Sequence, residues 1–192
     1  MRRLLMIVLV VFTRPALAAT WEIDPAHTSV QFSVRHMMIS NVRGELRKVA
    51  GTVQADDKDP TRSTIEATID AASVDTREAK RDEHLRSKDF LDVEQFPTIT
   101  FKSKKITKAG TGRYKVVGDL TLHGVTREVT LDVHGPTPPM TDPRGTVRAG
   151  AEATARIDRR DFGITWSKAL DGGGIMVGND LDVTIDVEAI RK

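Results

Sequence analysis

The residues of this chain that come closest to a catalytic pair are an aspartate and a histidine in a charged segment. The segment is RDEHLRSKDFLDVEQFPTITF, residues 81–101, in which a single residue separates Asp82 from His84. A carboxylate beside an imidazole is a common arrangement for general acid–base catalysis. On a helix, however, the two side chains would lie roughly 200° apart, poorly arranged to act on one atom. The spacing therefore favours a structural function, in which Asp82 or His84 ties the helix to a neighbouring loop.

The other motifs that could carry chemistry are incomplete. The five histidines include neither an i, i+4 pair nor an HExxH motif, the patterns that indicate a helical metal site. Asp161-Phe162-Gly163 matches a protein-kinase tripeptide, but the glycine-rich loop and the catalytic loop of a kinase are missing from the sequence. The chain has no cysteine, which excludes a thiol nucleophile and a cysteine zinc site. The sequence thus predicts no enzyme, no metal site and no cofactor.

His36 is the histidine best placed to meet a ligand. It continues the alternating apolar face of Val30, Phe32 and Val34, which would bring it to one end of the interior. There it either bonds to a backbone carbonyl within a packed core or hydrogen-bonds a ligand's head group at the mouth of an apolar cavity. An anionic head group would favour an arginine or lysine, and Arg35 is adjacent.

Strands must position most of these residues. Apolar and polar residues alternate in about eight segments with turn residues between them, among them 29–35, 45–54, 98–102, 146–157 and 181–188. None is the continuous apolar run of a buried parallel strand, so an antiparallel sheet around one interior is predicted. Eight such strands either close into a barrel or form a two-sheet sandwich, and the pattern separates the two poorly.

One helix and one long loop interrupt the strands. The helix is predicted from residue 75 to about residue 91, with Asp75 as its cap and Glu78 three positions later. Its apolar residues are few, so the helix should lie on the surface with one narrow stripe inward; they are mainly Ala79, Leu85, Phe90 and Leu91. The loop covers residues 135–145 and contains four prolines.

The first eighteen residues have the layout of a secretory signal peptide. Arg2 and Arg3 precede the apolar residues 4–12, and small residues surround a cut after Ala18 or Ala19. This apolar run is far shorter than the roughly 20 residues that span a bilayer, so no stable membrane span is expected after cleavage. The sequence therefore predicts an exported protein.

Charge and length set the class of the remaining chain. The whole chain has 29 basic and 27 acidic residues, but residues 1–18 hold three arginines and no acid, which leaves 26 basic and 27 acidic residues. Because basic and acidic residues are interleaved, no nucleic-acid surface is predicted. The remaining length suits one domain whose core holds it together without disulfides.

The predicted interior is apolar along nearly every strand. Alanines at every second position from Ala149 to Ala155 would leave room for a greasy ligand, unless bulkier partners fill that space as a packed core. The candidate ligand-binding residues are inward-facing positions together with Phe90 of the helix region. They are Phe32, Val34, His36, Ile65, Ile69, Phe90, Ile99, Phe101, Val116, Leu120, Leu131, Ala153 and Ile185.

Five segments, in this order, resemble the YceI-like family of exported polyisoprenoid-binding proteins. They are WEIDPAHTSVQFSVRHMMISNVRGEL, RDEHLRSKDFLDVEQFPTITFKS, YKVVGDLTLHGVTREVTL, ARIDRRDFGI and VGNDLDVTIDVEA, and the similarity covers residues 20–190. The resemblance implies an all-β fold, an antiparallel eight-stranded lipocalin-like β-barrel with one flanking α-helix. It also implies a periplasmic, non-enzymatic protein that holds a long-chain isoprenoid or similar amphiphile as carrier, store or sequestering agent.

Two other functions and one assembly state stay open at this point. The same pocket could serve an enzyme that acts on a lipid, with His36 as acid or base, or the chain could be a ligand-free interaction module with a filled core. Members of the family often form dimers, so a homodimer is also an expectation.

Overall fold

A computed structural model describes residues 18–192, which form an antiparallel twelve-stranded sheet with one α-helix in that range. The predicted signal peptide lies outside these residues except for Ala18. The strands are β1 (Ala19–Ile23), β2 (Ser29–His36), β3 (Ser40–Leu46), β4 (Val49–Ala55), β5 (Thr64–Asp70), β6 (Val74–Asp75), β7 (Thr98–Gly110), β8 (Arg113–Leu122), β9 (Val125–His134), β10 (Met140–Thr141), β11 (Val147–Asp158) and β12 (Val177–Arg191). Helix α1 is Ala79–Arg86, and 3-10 helices occupy Pro60–Arg62, Ala71–Ser73 and Arg159–Phe162. Within residues 18–192, no helix is long and apolar enough to cross a membrane.

Eight of the strands close into a ring. Their order is β11-β9-β8-β7-β5-β4-β1-β12, and β12 pairs back onto β11 from Asp180 to Ile190. Each neighbouring pair is antiparallel, as the alternating faces of the sequence predict. The barrel is therefore confirmed, and the two-sheet sandwich is wrong.

Three further strands lengthen one side of the barrel. β2 pairs with β12 and β3, and β3 pairs with β6. The sequence predicted a single strand over residues 45–54, but β3 and β4 are separated at Arg47 and Lys48. The backbone N–H groups of these two residues bond to Ser73, its carbonyl and its hydroxyl respectively, instead of to a neighbouring strand. The break is thus set by a residue distant in the chain.

β1 and β2 are also separated by a short break. There a side chain completes the hydrogen-bond ladder along β12. The Thr28 hydroxyl accepts a bond from the backbone N–H of Glu188 (3.2 Å) and donates one to the Glu188 carbonyl (3.3 Å). The hydroxyl takes the place of a missing strand residue, so the edge of β12 stays paired between its contacts with β1 and β2.

The connections of the barrel collect at two ends because consecutive strands run in opposite directions. One end carries α1, the β2–β3 turn and the 3-10 helix Arg159–Phe162, and we call it the helix end. The other carries residues 56–63, the β7–β8 turn and residues 135–146, and we call it the loop end.

Helix α1 is shorter than the sequence predicts. Its cap is Glu78, whose carboxylate accepts a bond from the Lys80 N–H at 3.3 Å. The predicted cap, Asp75, lies in β6, and Arg77 between them has a φ of 64°, which no right-handed helix accommodates. The helix ends at Arg86, whereas the sequence predicted an end at about residue 91.

The helix end is filled by a cluster of buried apolar side chains. Phe162 is 1% exposed, so the phenylalanine of the kinase-like tripeptide is part of the core, and Gly163 after it takes the left-handed conformation that glycine favours (φ 78°). The buried members of the cluster are Ala71, Phe90, Ile99, Leu122, Phe162 and Ile164. Leu85 and Leu91 pack against them, which confirms that the helix region rests on the barrel.

Candidate functional site

The ring encloses a cavity of about 550 Å³. Proteins normally pack their interiors with few voids larger than a water molecule, whereas small-molecule sites typically measure roughly 300–1,000 Å³. The barrel is therefore not filled by its own side chains, and the filled-core alternative is wrong. The cavity has the size of a ligand site.

The predicted ligand-binding positions lie in the cavity wall with one exception. The lining includes Phe32, Val34, Ile65, Ile69, Phe90, Ile99, Phe101, Val116, Leu120, Leu131, Ala153 and Ile185. These residues come from β2, β5, β7, β8, β9, β11, β12 and the segment after α1, so the site is assembled from most of the chain. Their contact with a ligand stays a prediction.

The wall formed by β11 is lined by small side chains. Ala153 is 7% exposed and lies opposite Ile185 of β12 and Val133 of β9. Ala149, Ala151 and Ala155 also line the cavity, at the alternating positions that the period of a strand requires. Bulkier residues stand on the neighbouring strands, so the open volume borders β11.

The two ends of the cavity differ in chemistry. The lining at the loop end includes Asp56, Asp57 and Ser63 together with prolines of both loops. At the helix end it includes Leu85, Phe90, Leu91 and Ile164, which close it with apolar side chains. The Phe90 ring contacts the Trp166 ring at a centroid distance of 5.1 Å and so belongs to a fixed aromatic group.

One buried cation, Arg159, lines the helix end of the cavity. Only 3% of the residue is exposed. Its Nε, Nη1 and Nη2 atoms donate to the carbonyls of Gly178 (2.9 Å), Ile164 (2.7 Å) and Val177 (3.2 Å). A guanidinium has five N–H donors, so these carbonyls leave two of them for other acceptors.

Arg159 has no carboxylate partner among residues 18–192. The adjacent Asp158 pairs with Arg160 instead. Burial lowers the pKa of the Arg159 guanidinium, but an arginine remains protonated in a protein at neutral pH. The helix end of the cavity therefore carries a positive charge that backbone carbonyls and the nearby Asp158 offset without a direct ion pair.

Arg159 was not among the ligand-binding residues predicted from the sequence, although the alternation of inward-facing residues along β11 indicates its position. Ala149, Ala151, Ala153, Ala155 and Ile157 all line the cavity. The predicted inward face ended at Ile157, and Arg159 is the next position in the same alternation.

His36 lies at the edge of the cavity but not in its lining. Its partner on β12, Val177, is one of the lining residues, whereas His36 itself lies at the β2–β3 turn, where it pairs with Ser40. Arg35 is exposed, and its guanidinium bonds to Met38 and Asn41. Of His36, Arg35 and Arg159, only Arg159 is part of the cavity wall within residues 18–192. The acid or base that the enzyme alternative names is thus not part of the cavity wall.

Asp82 and His84 do not form a catalytic pair. Asp82 is buried, and its Oδ1 accepts bonds from the Thr76 N–H (2.8 Å) and the Thr76 hydroxyl (2.6 Å). His84 Nε2 lies 2.8 Å from Asp89 Oδ2, and neither Asp82 nor His84 lines the cavity. Asp82 ties the helix to the preceding segment, which confirms the structural interpretation.

A second polar cluster lies near the loop end, outside the cavity lining. Ligand atoms of Asp24, His27 and Glu188 lie within 4.8 Å of one another, a spacing that could hold a metal ion. However, Arg148 Nη1 lies 2.7 Å from Asp24 and 2.6 Å from Glu188, so a guanidinium already supplies the positive charge. The bonds from His27 and Arg148 hold the pKa of the Asp24 carboxyl well below its usual range. This cluster is an ion-pair network that joins β11, β12 and the β1–β2 connection.

Comparison with known proteins gives consistent matches over this whole domain. A family model described as a YceI-like domain matches residues 21–189. A UPF0312 protein of Serratia proteamaculans (strain 568) is 42% identical over 182 residues, which cover 92% of this chain and 88% of that protein. The crystal structure of a Campylobacter jejuni YCEI protein is 29% identical, has a TM-score of 0.68, and the match covers 82% of this chain and 90% of the other.

A more distant structure shares the fold. It is a polyisoprenoid binding domain from Saccharophagus degradans implicated in plant cell wall breakdown. The TM-score is 0.66 at 13% identity, and the match covers 90% of this chain and 98% of that domain.

Proposed function

Since the chain belongs to the YceI-like family, we propose that its barrel binds a long-chain isoprenoid or a similar amphiphile without altering it chemically. The observation that carries the proposal is the apolar cavity of about 550 Å³ inside the barrel. The name of the Saccharophagus domain, a polyisoprenoid binder of the same fold, supports this class of ligand.

Transfer of a hydrocarbon chain from water accounts for binding without covalent chemistry. Burial of about 300 Å² of apolar surface contributes about 7 kcal/mol at roughly 25 cal/mol per Å². Part of this is offset by the translational and rotational freedom lost on association. Micromolar affinity corresponds to a net gain of about 8 kcal/mol, so a chain that buries more apolar surface than this is needed.

We further propose that the protein acts in the periplasm. An export signal at residues 1–18 and the absence of cysteine suit a periplasmic protein that depends on its core. There the protein acts as a carrier, a store or a sequestering agent for the lipid.

Lipid that stays bound through purification tests the proposal. The full chain, expressed with its own signal and purified without detergent, is expected to yield about one long-chain amphiphile per barrel in solvent extracts. Mass spectrometry of the extract identifies the lipid, and native mass spectrometry gives its stoichiometry and the number of subunits. A protein that is empty and also takes up no added prenyl or acyl chain, or that turns such a chain over, would refute the proposal.

The buried charge of Arg159 leads us to propose that the ligand's polar head carries a negative charge and lies at the helix end. A hydrogen bond to a charged group contributes about 1.5–3 kcal/mol, which corresponds to roughly tenfold or more in affinity. Hexadecanoate is therefore expected to bind at least about tenfold more tightly than hexadecanol, whose chain is equally long.

Substitution of Arg159 measures the contribution of this charge to affinity separately from that of the apolar wall. Arg159→Gln is expected to bring the two dissociation constants close together, chiefly through weaker binding of the carboxylate. Arg156→Gln is the matched control, because Arg156 is exposed near the end of β11, three residues before Arg159, and bonds to Asp182 outside the barrel. Equal binding of both chains by the wild type would contradict the head-group proposal alone, whereas binding of neither would contradict lipid binding itself.

A further inference from the structure

The turn between β2 and β3 presents three consecutive apolar side chains to solvent. Met37, Met38 and Ile39 are 37%, 57% and 75% exposed, and we call residues 37–39 the apolar tip. Isolated exposed apolar residues are ordinary on protein surfaces, but contiguous ones indicate a surface that contacts another molecule.

The backbone of the apolar tip is held in an uncommon conformation. Met37 and Met38 have φ values of 48° and 61°, in the left-handed region that side chains other than glycine seldom adopt. The Met37 N–H donates to the Met176 carbonyl at 2.8 Å, and Arg35 Nη2 donates to the Met38 carbonyl at 3.0 Å. The structure therefore fixes the turn in a shape that holds these side chains outward.

The apolar tip lies at the helix end of the barrel, close to the cavity. Val34 lines the cavity and precedes Met37 by three residues, which is about 10 Å along a strand. A second turn stands beside the apolar tip: residues 169 and 175 form a β-bridge, and the glycines between them close it. The Met38 Cγ lies 3.5 Å from where a Cβ of Gly174 would be. A surface that meets the apolar tip therefore faces the charged end of the cavity.

Exposed basic residues outnumber acidic ones in the segments of these two turns. Residues 35–43 and 166–176 contain the exposed cations Arg35, Arg43 and Lys168 and a single acid, Asp171. An apolar centre with a positive border matches a bilayer surface that contains anionic lipids, because the apolar side chains enter the interface and the cations meet the head groups.

We propose that the apolar tip inserts into the interface of a lipid bilayer that contains anionic lipids and docks the helix end of the barrel on it. A second copy of the chain fits less well, because a standard stable interface buries about 800 Å² on each partner, far more than three side chains supply. Insertion of a few side chains suits reversible membrane contact. Membrane docking goes beyond the proposed lipid binding, and it can be measured with a protein that holds no ligand.

Vesicle flotation with a matched pair of variants tests the proposal. The wild type is expected to float with vesicles of phosphatidylglycerol and phosphatidylethanolamine, and Met38→Asn combined with Ile39→Ser is expected to lower the partition coefficient by about tenfold or more. Asparagine tolerates the left-handed conformation of position 38, so the turn is retained. Met140→Ser is the control, because Met140 is 73% exposed at the loop end, away from the apolar tip.

The charge requirement is tested separately. Arg43→Gln combined with Lys168→Gln is expected to weaken binding to the phosphatidylglycerol vesicles several-fold and to leave the weaker binding to phosphatidylcholine vesicles unchanged. Thermal unfolding of each variant checks that the barrel is intact. Flotation that the tip substitutions leave unchanged would overturn the proposal. So would self-association, measured by analytical ultracentrifugation, that requires the apolar tip in a protein that does not float.

Discussion

Replacing Ala153 by leucine is expected to lower the affinity of the barrel for a long-chain lipid by about tenfold or more, while the protein stays folded. Ala153 is 7% exposed and lines the cavity on the β11 wall, where small side chains border the open volume. Leucine adds three carbon atoms to space that the lipid chain would occupy. In a filled core such an addition costs about 1–3 kcal/mol, but the cavity offers room for it.

The dissociation constant is measured by displacement of a fluorescent apolar probe, and stability by thermal unfolding of the unliganded protein. Thr154→Leu serves as the matched control, since Thr154 is the next residue of β11 and is exposed on the outer face. It should leave the dissociation constant unchanged. If Ala153→Leu folded normally and bound the lipid as tightly as the wild type, the chain could not lie along the β11 wall.

Phe90→Ala is expected both to destabilise the protein and to change the length of chain that it prefers. Phe90 is buried in the core of the helix end, where loss of a phenyl ring costs about 3–5 kcal/mol of unfolding free energy. The same side chain lines the cavity, so its removal extends the space available to a lipid. Affinity for the longest chains of an alcohol or carboxylate series should therefore rise relative to the shorter ones.

A second truncation in the same core separates these two effects. Phe162 is 1% exposed and belongs to the same cluster but does not line the cavity. Phe162→Ala should therefore lower the unfolding free energy to a similar extent without a shift in chain length. Length selection that is the same in Phe90→Ala and the wild type, or that shifts equally in both variants, would show that Phe90 does not limit the cavity.

The barrel wall could be predicted from the sequence because its signal is local. Side chains of a strand alternate between two faces, so the positions of Phe32, Ile99 and Ile185 on the inner face follow from their neighbours in the chain. The volume of the cavity could not be predicted from the sequence, because it depends on which residues face each other across the barrel. Periodicity alone left a packed core open as an alternative.

The ends of the elements were predicted poorly because tertiary contacts decide them. His36 continues the inward face of β2 but is not part of the cavity lining, whereas Arg159 extends the face of β11 and is part of it. Nothing in either local pattern indicates where the barrel stops. The ion pair between Asp24 and Arg148 joins residues 124 positions apart, and no local motif announces it.

The position of β12 in the ring has a consequence for how the binding site comes into existence. β12 pairs with β11 along one edge and with β1 and β2 along the other, and at Thr28 and Glu188 it joins residues 160 positions apart. Such distant pairings give the fold a high contact order, so ring closure should be a late and slow step of folding. Until β12 takes its place the interior remains an open sheet with unpaired edges. The ligand cavity therefore forms only when β12 pairs and closes the ring. A lipid can enter the cavity only during or after that step.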